Sequence, residues 1–123
     1  MLASIARAAD LLECGASGAG EYRPVERGLT QTLKAYQLFK HGEIFDPAIA
    51  SNSPSREEAG RRLKQDCLTG GENFRSHVRR WREADLADEW ASFQPVTRAL
   101  MRHLRDHVRA EGVQIRLLLA ESR

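Results

Sequence analysis

A chain of 123 residues is long enough for one domain with a real core and too short for two. With 41% hydrophobic residues, 29% charged residues and a formal net charge of +2, the balance is that of an ordinary globular protein, and it neither demands nor excludes an acidic partner. No apolar run approaches the roughly 20 residues that a membrane span needs. The first apolar stretch is broken by Arg7, Asp10 and Glu13, which denies it the character of a signal peptide and makes the cytoplasm the expected compartment. Cys14 and Cys67 are too few for a disulfide framework and match no zinc motif, so both are expected to be small buried or half-buried residues.

Strand signals are nearly absent, and helical periodicity runs through the chain. A first helix is expected over residues 2–13, with Leu2, Ile5, Ala9 and Leu12 on one side and a stop near Gly15. "GASGAGEYRP" reads as a flexible loop. A second helix should run from Pro24, a residue suited to a first helical turn, to Phe45, with Val25, Leu29, Leu33, Tyr36 and Phe39 as its apolar stripe and Pro47 limiting its extent. "ASNSPS" reads as a turn, and Ser55 with Glu58 has the spacing of a capping box. The third helix, 55–82, carries Ala59, Leu63, Cys67, Phe74, Val78 and Trp81. Gly70 lies on that stripe, so the helix is expected to pass through Gly70–Gly71 with a weak point where a neighbour approaches closely. The fourth element spans 85–121, kinked or interrupted at Pro95 near a short turn around Trp90. Leu100, Leu104, Ile115 and Leu118 mark its buried face. Long helices with short connections predict an all-α, antiparallel up-down four-helix bundle with a short first helix, filling residues 1–123 as a single domain.

At roughly 100° per residue, His107 and Glu111 fall within about 20° of Leu100. Both are therefore placed in the middle of an apolar face, where an ionised carboxylate is costly unless a cation or hydrogen-bond donors meet it. Glu43 shares the phase of Val25 and Tyr36 if the second helix lasts past Gly42, and an antiparallel register brings Glu43, His107 and Glu111 to one height. Arg62 and Lys40 are the candidates to replace a metal's charge at these carboxylates through salt bridges. A single metal held by His107, Glu111 and Glu43, or a protonated or water-bridged Glu111, are the other readings.

"LKAYQLFKHGEIFDPAI" and "HVRAEGVQI" resemble the second and last helices of the hemerythrin-like (HHE cation-binding) bundles over roughly residues 29–119. The resemblance implies a non-haem di-iron centre between four helices, serving oxygen binding or oxygen and redox sensing, because iron accepts both histidine nitrogen and bridging carboxylate oxygen. Phe39 stands where the family's second helix has a histidine, and residues 1–23 contain none. Asn73 and His77 are the nearest candidates on the third helix, and by register His77 lies nearly two turns or more from the other group. The ligand set is thus His107, Glu111 and Glu43, with His77 as a fourth, and it is incomplete. The expectation is a bundle with a degenerate metal site and no cofactor, acting as a regulatory or protein-interaction module and not as an enzyme; the alternative is an iron-binding sensor with a reduced site.

On the far side of the last helix, Arg98, Arg102, Arg105, Arg109 and Arg116 fall between roughly 140° and 200° on the same wheel. They form either a solvated face or a surface for an acidic protein partner. Arg75, Arg79, Arg80 and Arg82 make a second basic group. No recognition-helix or zinc signature supports nucleic acid as the partner. A histidine phosphotransfer bundle would need an exposed histidine, and His41 is the candidate, otherwise expected at the surface. The lysine and glycine such a site carries after its histidine are not in place, since Gly42 follows directly. No catalytic triad or phosphate loop is present. A first helix of about 12 residues cannot cover neighbours about 30 Å long, so a second copy of the chain is a candidate to close the gap as a homodimer.

Overall fold

The computed structural model describes residues 1–120. It is all-helical, with no strand among the described residues. Four long helices are joined by short turns: α1 Leu2–Leu12, α2 Ala19–Lys40, α4 Pro54–Trp81 and α5 Trp90–Ala120. Between α2 and α4 the chain passes through a π-turn, His41–Phe45, and a single further turn, α3 Asp46–Ile49. The expected end of the last helix, at residue 121, lies outside the described residues.

Gly15, at φ 72°, turns the chain out of α1, the left-handed conformation that glycine adopts without steric cost. The segment expected to be a flexible loop is ordered, with one 3-10 turn over Gly15–Gly18 followed directly by α2. Pro24 consequently lies inside α2 and not in its first turn, and Pro95 lies inside an unbroken α5. Both prolines are on exposed positions near the helix starts, where the carbonyl that loses its donor is met by water. The capping box at Ser55 and Glu58 does not form. Ser53 is the N-cap and Pro54 opens the helix, one residue earlier than the spacing suggested. Gly70 and Gly71 leave α4 unbroken.

The core falls into two parts. In the first, Ile5, Leu12, Tyr22, Leu29, Phe93 and Met101 are buried together with Phe74, Trp90 and Leu104. Phe93 is its centre, edge-on to Tyr22 at 5.2 Å and to Trp81 at 5.3 Å between ring centroids, geometries that aromatic quadrupoles favour. In the second, Phe45, Ala48, Leu63, Cys67, Ile115 and Leu118 pack together. Helix α1 covers α2 and α5 only alongside the first part: Gln94 Nε2 donates to the Leu12 carbonyl and Arg98 pairs with Glu13 at 2.8 Å. Arg23 Nη2 closes the far end of α4 by donating to the carbonyls of Trp81 at 2.9 Å and, in the turn that follows, Ala84 at 2.6 Å.

The π-turn sets the register of the second part. Asp46 N–H donates to His41 O, five residues back. Pro47 has no amide to close an α-turn on Glu43, and its ring disfavours the α position before it. One extra residue in the turn rotates the succeeding segment by about 100°. The buried side thus steps from Lys40 to Phe45 and then Ala48, and Glu43, expected on that side, is exposed. Phe39 is also exposed, at 56%, because the stripe runs through Tyr22, Glu26, Leu29, Leu33 and Tyr36 to Lys40.

Candidate functional site

A polar layer separates the two parts of the core. Lys40, at the end of α2, is buried; its Nζ lies 2.5 Å from Glu111 Oε1 on α5 and 4.4 Å from the centre of the Tyr36 ring. His107, one turn before Glu111, places Nε2 3.4 Å from Oε2, an ion-pair separation without hydrogen-bond geometry, so Oε2 has no hydrogen-bond partner. Burial alone would raise the Glu111 carboxyl, but contact with His107 and with the Lys40 ammonium outweighs it and holds the group below the usual carboxylate range. The neighbour that approaches Gly70 is His107: a Cβ on that glycine would sit 3.8 Å from Nε2. Cys67 completes the layer, buried, with its thiol pushed up by that burial against the opposing influence of Lys40.

The layer forms the floor of a cleft of about 380 Å³ between α2, α4 and α5, a volume within the range of small-ligand sites. Leu33, Tyr36, Phe74, Leu104 and Val108 supply its walls, and Met1 stands at one edge. The cleft lies at the N-terminal start of α1, past Met1, where the groove between α2 and α5 loses its cover. Lys34, Arg75 and His41 also line it. His41, expected at the surface, is half-buried against Phe45 at 5.4 Å between ring centroids. Burial lowers its pKa, as do the nearby Lys64 and Lys40, partly opposed by Asp46 and Glu111.

The sequence-predicted ligands are only partly assembled. His107 and Glu111 meet, and Lys40 supplies the positive charge. Glu43 is turned to solvent by the π-turn, and Arg62 is exposed. His77, on α4, lies beside Thr97 of α5, whose Oγ1 is 3.1 Å from its Nε2; Thr97 is ten residues along α5 from His107, and ten residues of helix are about 15 Å. Burial lowers the His77 pKa. Among the described residues no group of three or more His, Cys, Asp or Glu side chains is placed to hold a metal ion. An ammonium against Glu111 occupies the position a cation would need, so this donor set does not fit a di-iron centre.

Two features escape a reading of the sequence. Glu26 is buried on α2 beside Tyr22, and burial raises its carboxyl, opposed by the Tyr22 hydroxyl and by Arg23. The signal is its phase, four residues from Tyr22 and three from Leu29. Cys14 is exposed, not buried, because α1 has ended before it.

Comparison with known proteins finds no matching family model, no matching curated protein and no matching solved structure. No helix of the described residues is long and apolar enough to cross a membrane.

Proposed function

We propose that the chain is a non-enzymatic regulatory or interaction module, an antiparallel up-down four-helix bundle of hemerythrin-like type in which a lysine replaces the metal. The pairing of Lys40 with Glu111 carries this reading. A cation site that had lost its metal would keep a buried carboxylate in need of charge, and Lys40 meets that need from the adjacent helix. The pairing also argues against catalysis, since it commits Lys40, the buried amine of the cleft floor, to the carboxylate beneath it. The up-down order is supported by opposed contacts: Arg23 meets the end of α4 and Phe45 its start, near Gly60, while His77 meets Thr97 and Gly70 meets His107.

The partner surface is the outer face of α5. Arg98, Arg102, Arg105, Arg109 and Arg116 are all exposed there, a one-sided basic face suited to an acidic protein. The free thiols of Cys14 and Cys67 suit a reducing compartment such as the cytoplasm.

Elemental analysis tests the reading. Protein purified without an affinity metal, loaded anaerobically with ferrous iron and desalted, should retain no iron above background. About two iron ions per chain, with an oxygen-dependent near-ultraviolet band, would restore the di-iron centre and overturn the proposal.

A further inference from the structure

We infer that the cleft over Lys40 and Glu111 binds a small hydrophobic carboxylate, such as a medium-chain fatty acid, with its apolar body between α2, α4 and α5 and its carboxylate at the mouth. Three observations lead there. The walls are apolar and concave, with Leu33, Phe74, Leu104 and Val108 facing one space of about 380 Å³, which favours an apolar body of small-molecule size. No aspartate or glutamate lines the cleft among the described residues, whereas Lys34 and Arg75 do. Glu111, beneath the cleft, is engaged by Lys40. The mouth therefore carries positive charge from two facing helices, offset in part by the long surface contact of Arg75 with Glu72, and it complements one anionic group.

Arg75 is suited to receive that group. Its present contacts, to Glu72 at 3.4 Å and to Gln37 at 3.5 Å, are long and at the surface, so the guanidinium is held loosely and can turn onto a carboxylate in the two-point geometry it prefers. The aliphatic stem of Lys34 extends the apolar wall while its ammonium remains in water. The inference deepens the interaction-module reading by making the module responsive to a ligand, and it rests on Lys40, not a metal, neutralising Glu111.

Equilibrium dialysis of the full chain against decanoate and 1-decanol, each below its micelle or solubility limit, provides the test. Decanoate should bind at about one per chain and 1-decanol about tenfold or more weaker. The surface variant Lys34→Glu/Arg75→Glu should erase that preference without changing helix content. Gly71→Leu should weaken both ligands: a Cβ there already meets Arg75 Nη1 at 3.1 Å and Gln37 Oε1 at 3.3 Å, so the larger side chain obstructs the mouth. Equal binding of acid and alcohol, a preference that survives charge reversal, or no binding of either would overturn the inference. A doubled mass in light scattering, lost on Gly71→Leu, would overturn it too, because a second copy would then be the occupant. Iron uptake would instead sink the module reading beneath it, so the two failures are distinguishable.

Discussion

Among the described residues, the covered and uncovered halves each bury one glutamate, and the two behave oppositely. Glu26 lies where α1 closes the core, 7% exposed, and Glu111 lies under the open cleft, 4% exposed. Equal burial pushes the first carboxyl up while the second is held down. The difference is the partner. Glu26 has a phenol and a guanidinium that is already donating to the end of α4, whereas Glu111 has an ammonium at contact and an imidazole beside it. Burial sets the cost of a charge, and the group facing it decides whether the charge is kept.

Removing the deciding partner is the largest test. Lys40→Met leaves Glu111 facing an apolar side chain and should cost about 3–5 kcal/mol in chemical denaturation. Replacing the pair together, Lys40→Met with Glu111→Leu, should recover most of that loss. Changing His107 and Glu111 alone to apolar residues would orphan Lys40, so that substitution is expected to destabilise.

Steric room should separate the packed and open regions next. At Gly60 an added Cβ would meet Ala48 Cβ at 3.0 Å and the Phe45 carbonyl at 3.1 Å. Gly60→Ala should therefore lose about 1–3 kcal/mol to overpacking, despite its better helix propensity. Gly70→Ala, with ordinary contact to His107, should gain up to about 1 kcal/mol. Equal melting temperatures for the two variants would mean that the contact between α3 and α4 is looser than described.

The smallest effect sharpens the glutamate comparison through pH. A raised folded-state carboxyl contributes stability below its unfolded value, and this contribution is lost as pH rises through the folded value; a lowered one contributes stability above the unfolded value, lost as pH falls through the folded value. Glu26→Gln should thus be neutral or stabilising by under about 1 kcal/mol at pH 7, an advantage that disappears in acid. Glu111→Gln should be costly at pH 7, with a penalty that shrinks as pH falls below the ordinary carboxylate value. Parallel pH–stability curves for the two variants would refute the assignment.

Period alone is enough to find the helices, because residues such as Leu63, Cys67 and Phe74 must share a face to be buried and nothing in α4 outweighs that requirement. It fails where backbone geometry decides. Gly18 and Gly20 look like loop residues, yet Gly18 permits the close approach of the Leu11 carbonyl, 2.6 Å from where its Cβ would be, and so lets α2 start early. The centre of the site is legible at His107 and Glu111, and Lys40 is one of the two charge replacements expected there from the sequence. Glu43 is misplaced by that phase because it counts residues evenly, and one uneven turn is enough to send a side chain to solvent.

That turn has a consequence for how the chain can vary. A continuous helix transmits any inserted or deleted residue to every position after it, turning a whole buried face outward. The π-turn at His41–Phe45 behaves as a slack joint, holding one surplus residue so that the segments on either side keep separate frames. Length changes at this joint need not propagate, and the α2 wall of the cleft upstream keeps its frame apart from the packed turn downstream.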